Sequence, residues 1–125
     1  MIGDFTELIA YKKAFELAME IFDLSKSFPV SEKYSLTDQI RRSSRAICAN
    51  IAEGYRKRRY SAHFISKLTD SDAENSETQV WLAFAVACHY ISAEQQTHLR
   101  DKSHEVGRLL AYMINNPTKF CPPVP

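Results

Sequence analysis

The feature that most constrains the fold is a long stretch without proline. Residues 30–116 contain no proline, and the whole chain has only three glycines. Proline breaks the interior of a helix, so its absence permits long uninterrupted helices. Apolar residues also recur three or four positions apart, which is the period of an amphipathic helix. No segment alternates convincingly like a strand, and the sequence therefore predicts an all-α protein.

Four segments carry this pattern, and they fill one domain. We expect helices at about 7–27, 36–56, 61–89 and 93–115. Helices of about 20 residues span about 30 Å each, and short connections favour antiparallel neighbours. The prediction is an antiparallel up-down-up-down four-helix bundle over residues 1–116. A flexible, proline-rich tail is expected at 117–125.

Local signals mark the helix ends. Phe28-Pro29 ends the first helix, because the residue before a proline is pushed out of helical conformation. Ser35 with Asp38 resembles a capping box at the start of the second helix. Ser92 with Gln95 fits a capping box at the start of the fourth.

The middle of the third helix is unusually polar. From Thr69 to Gln79 no residue is Val, Ile, Leu, Met or aromatic, and the core stripe runs through Ser71, Asn75 and Thr78. Either this section is exposed to solvent, or it forms a buried polar layer with partners on another helix. The second interpretation gathers polar side chains from the second and third helices. These are Asn50, Glu53, Glu74, Glu77 and Thr78.

Carboxylates inside a bundle can also bind metal ions. The di-metal sites of such bundles take imidazole ligands from a Glu-x-x-His motif, which this sequence lacks. A structural hydrogen-bond network is therefore the stronger hypothesis, and we expect no metal and no cofactor. The sequence also contains no glycine-rich phosphate loop, Walker motif or Gly-x-Ser-x-Gly. We expect no enzymatic activity and no small-molecule substrate.

The cysteines and the N-terminus bear on location. Cys48, Cys88 and Cys121 form no CxxC pair, which is typical of reduced thiols in the cytoplasm. Cys48 follows Arg45 by three residues, yet we expect it to pack as a small apolar residue rather than to act as a nucleophile. We find no signal peptide and no membrane span, and we expect a cytoplasmic protein without a membrane partner.

The charge is unevenly distributed along the chain. Residues 41–67 carry a net charge of +7 and the remaining residues −6, although the whole chain is only +1. Seven cations of this window are candidates for binding nucleic acid: Arg41, Arg42, Arg45, Arg56, Lys57, Arg58 and Arg59.

Two interpretations of this window are open. If the second helix extends to Arg59, then Arg41, Arg45, Arg56 and Arg59 lie within about 60° of one another and form a stripe suited to phosphates. Alternatively, the charges pair with the acids of the third helix and form an ordinary solvated surface. Tyr55 and Tyr60 flank the run of four cations at 56–59, where they either stack on bases or pack at the helix end.

Several segments resemble a known family. They are Leu8–Ala14, Phe28-Pro29, Gln39–Arg42, Asn50–Tyr55 and, in the third helix, Phe64-Ile65, Glu74, Glu77-Thr78 and Trp81-Leu82. The chain is similar in these positions to the bacterial proteins encoded within intervening sequences of large-subunit ribosomal RNA genes. It also resembles the accessory proteins of diversity-generating retroelements. In mid helix 3, where members often carry apolar and small residues, this chain instead has polar residues such as Asp70 and Asp72.

The resemblance implies an up-down bundle that assembles into a homopentameric, barrel-like ring. For the retroelement relatives it also implies a basic surface that binds RNA or DNA and the reverse transcriptase. For the ribosomal-insert members it implies no settled activity. The function we expect is therefore a non-enzymatic oligomer that binds nucleic acid, or a nucleic-acid enzyme, through its second helix. The alternative is a structural scaffold oligomer with no affinity for nucleic acid.

Overall fold

The computed structural model describes residues 3–123, and most of them lie in four α-helices. These are α1 (Ile9–Ser25), α2 (Asp38–Arg56), α3 (Ser61–Ala87) and α4 (Ala93–Asn115). Each helix packs against the next in chain order, and α1 closes the ring against α4. Residues 3–123 contain no strand. The predictions of an all-α protein and of a four-helix bundle are confirmed.

The two predicted capping boxes have different outcomes. At the start of α4, the Gln95 N–H donates to Ser92 Oγ at 3.0 Å and the Ser92 N–H donates to Gln95 Oε1 at 2.8 Å, which confirms that capping box. The prediction of a capping box at Ser35 is wrong. Lys33–Thr37 form a π-helical turn that continues directly into α2, so Ser35 lies inside a helical turn and not at its cap.

The core takes large side chains from all four helices. Buried aliphatic residues line the centre of the bundle, and Phe64 of α3 is completely buried among them. Full burial of such a side chain contributes about 1.5–3 kcal/mol to the free energy of unfolding. The other large, fully buried residues include Leu17, Ile21, Ile40, Ile47, Ile51, Leu68, Leu82, Val106 and Leu110.

The close approach of α2 to α3 depends on Gly54. A Cβ atom at this position would lie 3.1 Å from the Lys67 Cβ and 3.5 Å from the Phe64 carbonyl oxygen. The first distance is shorter than ordinary van der Waals contact, so a side chain at residue 54 would push the two helices apart. The absence of a side chain at Gly54 therefore allows α3 to come close to α2 at this site.

The polar middle of α3 is buried, which decides between the two interpretations of its sequence. Ser71 and Thr78 are completely buried and both reach α2. Ser71 Oγ donates to the Ile47 carbonyl at 2.8 Å, and the hydroxyls of Thr78 and Ser43 form a hydrogen bond of 2.9 Å. Buried polar groups are stable only when such partners are present. This section of α3 is therefore a polar layer within the core.

The other half of the layer connects α3 to α4. Asn75, only 2% exposed, donates from Nδ2 to the Ser103 carbonyl at 2.9 Å and accepts from Ser103 Oγ at 2.7 Å. Gln79 Nε2 donates to Ser103 Oγ at 2.8 Å. Ser103 occupies the position between Leu99 and Val106 in the apolar stripe of α4. A polar residue at this position of an otherwise apolar stripe is the sequence signal that could have placed Ser103 in the polar layer.

The members of the layer differ from the predicted set. Thr78 belongs to it, but Glu53 is exposed and Asn50 is only half-buried. Glu74 and Glu77 lie on the flank of α3, where they face an arginine of α2. The reason is helical rotation: the residues of α3 that point inward are Ser71, Asn75 and Thr78, and the glutamates lie to one side of that line.

The prediction of a flexible C-terminal tail is wrong for residues 117–121, which pack against the bundle. Pro117–Lys119 form a 3-10 turn that brings the chain back to the bundle. The ring of Phe120 stacks on Phe64, with 6.0 Å between ring centroids, and Cys121 is buried. The apolar residues of this segment cover the end of the core, which explains why it folds back. Val124 and Pro125 lie outside the described residues.

We predict that native protein has one rapidly reacting thiol and two slow ones. Cys88 is exposed, whereas Cys48 and Cys121 are buried. Burial raises the pKa of Cys48 to about 11 and also raises the pKa of Cys121, and the thiolate is the reactive form. Titration with a disulfide reagent at neutral pH measures the two phases. The variant Cys88→Ser should lose the fast phase, and a second fast thiol in the unaltered protein would show that Cys48 or Cys121 is not buried.

Candidate nucleic-acid interface

The seven predicted cations form two separate groups in the structure. Helix α2 ends at Arg56, and Lys57 has left helical conformation, with φ −91° and ψ 8°. Arg59 therefore lies in the connection to α3 and not on the helix, so no continuous stripe runs from Arg41 to Arg59. The first group comprises Arg41, Arg42 and Arg45 on the helix. The second group follows the last turn of α2 and comprises Arg56, Lys57, Arg58 and Arg59.

Two arginines of the first group pack against α1. Arg41 Nε donates to Ser25 Oγ at 2.7 Å, and its guanidinium lies 4.8 Å from the centroid of the Phe22 ring. The guanidinium of Arg45 lies 5.5 Å from the same ring. A cation above an aromatic face gains about 0.5–1 kcal/mol at an exposed site. These contacts connect α1 to α2.

Arg42 is neutralised by α3. Its guanidinium forms ion pairs with Glu74, at 3.0 Å, and with Glu77. Partial burial disfavours the charged guanidinium, but the two carboxylates outweigh this effect and raise the pKa of Arg42. Trp81 Nε1 also donates to Glu77, at 3.4 Å. For this residue the geometry matches the interpretation in which the basic window pairs with the acids of the third helix.

The one acid within the basic window is also paired. Lys67 Nζ lies 2.8 Å from Glu53 and 3.9 Å from Asp70. The hydrogen bond and the charge of Lys67 lower the pKa of Glu53. Glu53 is therefore ionised at neutral pH and forms an ion pair with Lys67.

Arg58 is held by the end of α2. Its Nη1 donates to the Tyr55 carbonyl at 2.9 Å, and its guanidinium lies 3.9 Å from the centroid of the Tyr55 ring. Tyr55 itself is only 3% exposed. Arg58 thus closes the helix end by packing on a buried ring, and Tyr55 has no face open to a nucleobase.

Three cations of the second group remain open to solvent, and we call them the basic turn: Arg56, Lys57 and Arg59. All three side chains are exposed. Within residues 3–123, no carboxylate lies within 4.0 Å of their charged nitrogen atoms. Three positive charges in sequence positions 56–59, of which only Lys57 acts on a carboxylate (Glu53, beyond 4.0 Å), create a local field that attracts anions.

Tyr60 extends the basic turn with an exposed aromatic ring. It is 58% exposed and lies 5.8 Å from the Arg59 guanidinium and 5.5 Å from the His63 ring, measured to ring centroids. The sequence placed Tyr55 and Tyr60 on either side of the cations without distinguishing them. The structure separates them, since Tyr55 packs in the core and Tyr60 faces solvent.

Apolar side chains are also exposed on two other faces. Phe15 and Met19 of α1 are about half exposed and line a groove of about 400 Å³ between α1 and α2. Val80 and Phe84 of α3 are similarly exposed. Exposed apolar side chains that cluster in this way are typical of surfaces that contact other proteins.

Two other kinds of feature are absent from residues 3–123. In this part of the chain, no three His, Cys, Asp or Glu side chains converge in a way that would hold a metal ion. Over the same residues, no helix combines the length and the apolar composition required to cross a bilayer.

These features define a class of protein: an up-down four-helix bundle with a cationic turn at one end. The chain belongs to the family described as 23S rRNA-intervening sequence protein, whose family model matches residues 6–112. It is also similar to a crystal structure of a protein with unknown function from the S23 ribosomal protein family of Bacteroides thetaiotaomicron VPI-5482. The two chains are 31% identical with a TM-score of 0.77, over 86% of this chain and 96% of that chain. No curated protein matches the sequence.

Proposed function

We propose that this protein is a non-enzymatic, cytoplasmic oligomer that binds nucleic acid through the basic turn. The observation that carries the proposal is the exposure of Arg56, Lys57 and Arg59 without a described carboxylate partner. Arginine and lysine that are not already paired are available to phosphates, and phosphate contacts supply most of the affinity of non-specific nucleic-acid binding.

The contrast within the seven cations supports this assignment. Arg42 already pairs with two glutamates, while Arg41 and Arg58 already donate to Ser25 and to the Tyr55 carbonyl. Recruiting those three to phosphate would break contacts within the protomer. The side chains of the basic turn lose no ion pair of this kind when they bind an anion, and only the longer-range attraction between Lys57 and Glu53 competes.

The oligomer is supported by the exposed apolar surfaces on α1 and α3. Because these two surfaces differ, a contact between them would be heterologous, and repeated heterologous contacts close into a ring when the rotation permits. We propose a homopentamer, which is the assembly that the family resemblance implies. Five copies of the basic turn on one ring would bind a long strand far more tightly than one copy does.

A scaffold oligomer with no affinity for nucleic acid is the second candidate. It is favoured by the pairing of Arg42 with Glu74 and Glu77, and of Lys67 with Glu53. In that case the charges of α2 serve the stability of the bundle. A nucleic-acid enzyme as the ligand of the basic turn is a further outcome of the tests below.

Light scattering combined with a mobility-shift titration in salt tests the proposal. A pentamer of 14.3 kDa chains should scatter as a particle of about 72 kDa. If three cations contact phosphates of a single strand, the logarithm of the affinity should fall with a slope of about −2 against the logarithm of salt. Raising the salt from about 50 to 200 mM should then weaken binding about 20-fold per engaged protomer.

Each outcome has a definite meaning. Binding that declines steeply with salt supports the nucleic-acid assignment. An oligomer that binds neither RNA nor DNA at low salt supports the scaffold instead. A monomer of 14.3 kDa in solution would overturn the oligomer in both candidates.

A further inference from the structure

Tyr60 is held in place by its backbone, although its ring is exposed. Its N–H donates to the Lys57 carbonyl at 3.1 Å. Its own carbonyl accepts from the N–H groups of His63, at 3.0 Å, and Phe64, at 3.1 Å. Both backbone polar groups are thus fixed by the turn and by the first turn of α3. The only freedom left to the residue is the rotation of its side chain.

Two other side chains lie close to the ring of Tyr60. The Arg59 guanidinium and the His63 ring are both within 6 Å of the Tyr60 ring centroid. A tyrosine side chain has only two χ angles to fix, so it loses little entropy when it binds a planar ligand. The structure therefore presents an exposed aromatic ring directly beside three exposed cations.

The chemistry of this arrangement selects one kind of nucleic acid. Stacking of a base on an aromatic side chain needs a base face that is free, and in a duplex both faces of each internal base are covered by its neighbours. Single strands expose their bases, and proteins that bind them without sequence preference combine cations for the backbone with aromatic rings for the bases. The basic turn together with Tyr60 has both elements.

We infer that the basic turn binds single-stranded nucleic acid, with phosphates on Arg56, Lys57 and Arg59 and one base stacked on Tyr60. The inference rests on the proposed function and specifies the ligand of the same site. It predicts weak sequence preference, because every base has a face to stack.

Fluorescence anisotropy with a labelled six-nucleotide oligo(dT) or oligo(U) tests the inference. A strand this short keeps multivalent binding to several protomers small. Tyr60→Ala should weaken binding by about 5- to 150-fold, the range measured for loss of one stacked base. Tyr60→Phe, which keeps the ring and removes only the hydroxyl, should stay within about threefold of the unaltered protein. A blunt duplex hairpin should bind more weakly than the single strand.

Tyr34 provides a matched control at the other end of α2. Its ring is 74% exposed and has a lysine ammonium, that of Lys33, 5.3 Å from its centroid, but its neighbours in the sequence include the acids Glu32 and Asp38. Tyr34→Ala should leave the affinity unchanged. Circular dichroism should give the same helix content for all three tyrosine variants, because both side chains are exposed.

Two readouts distinguish stacking from simple attraction of charge. An oligonucleotide with 5-iodouracil should cross-link to a peptide that contains Tyr60, and poly-glutamate should compete poorly. Equal binding of single strand and duplex, an unaltered affinity of Tyr60→Ala, or full competition by poly-glutamate would overturn the inference while leaving a polyanion-binding turn. If the unaltered protein binds no nucleic acid at low salt, the proposed function fails as well.

Discussion

Replacing Arg56, Lys57 and Arg59 with glutamine together should weaken binding of a single-stranded oligonucleotide by about 150-fold at low salt. Each exposed contact between a cation and a phosphate contributes about 1 kcal/mol, and three such losses sum to about 3 kcal/mol. The slope of the logarithm of the affinity against the logarithm of the salt concentration should also become less steep by about 2, because the variant makes three fewer phosphate contacts that release counterions. Anisotropy titrations at several salt concentrations measure both quantities. The helix content should not change, since all three side chains are exposed.

The matched control removes the same charge from the body of α2. Arg41, Arg42 and Arg45 replaced with glutamine also lower the net charge by three, but two of these arginines are occupied by Ser25 and by the glutamates of α3. This variant should lose stability and keep most of its affinity for nucleic acid. If both triple variants lose the same affinity, then net charge alone determines binding, and the assignment to the basic turn is wrong.

The second large effect concerns the polar layer. Asn75→Asp should lower the free energy of unfolding by about 3–5 kcal/mol at neutral pH, because it places an unpaired charge in the core. Asn75 is 2% exposed, and its Nδ2 donates to the Ser103 carbonyl. In the ionised Asp variant, two oxygen atoms would face each other at this contact. Such a loss is a large fraction of the stability of a small domain. Urea unfolding followed by circular dichroism measures it.

The pH dependence of this variant has a definite sign. Burial raises the pKa of a carboxyl above its value of about 3.9 in the unfolded chain. The folded variant therefore takes up a proton before the unfolded chain does, and the destabilisation should shrink as the pH falls from about 7 to 4.5. Hydrogen bonds from Lys102 and Lys67 lower the pKa of Glu16 and Glu53, but the stability that these groups contribute is lost only below the ordinary pKa of 4.5, and equally in the unaltered protein and the variant. The two stability curves should converge.

An exposed position in the same helix provides the control for the Asp substitution. Ser76 follows Asn75 directly and is exposed. Ser76→Asp adds the same charge to α3 but leaves it hydrated, so its effect should stay within about 0.5 kcal/mol at every pH. If Asn75→Asp and Ser76→Asp lower the free energy of unfolding by the same amount, the polar layer is not a dry part of the core.

Much of the fold follows from local patterns in the sequence. The proline-free stretch and the apolar spacing predicted four helices, and the observed bounds of α3 begin at the expected Ser61. The capping box of Ser92 and Gln95 formed as predicted, because its hydrogen bonds join residues three apart in the chain. Contacts over one helical turn are encoded by neighbouring residues, and such contacts can be inferred without knowing the rest of the fold.

The sequence alone determined less about the candidate site. It located the excess of positive charge in residues 41–67 and placed Tyr60 beside it. It did not show where α2 ends, and the predicted stripe depended on a helix that reached Arg59. Lys57 leaves helical conformation at the C-cap, which directs the following residues into a turn. Only the structure therefore separated the basic turn from the cations on the helix.

The tertiary structure decided which polar groups meet across the bundle. Arg42 reaches Glu74 and Glu77, 32 and 35 positions away, and Asn75 reaches Ser103, 28 positions away. These pairs depend on the rotation and the vertical offset of two packed helices, and small changes in either bring different residues together. The amino-acid sequence by itself determined that four amphipathic helices would close around one core. Packing between distant segments determined which charges are neutralised and which remain exposed.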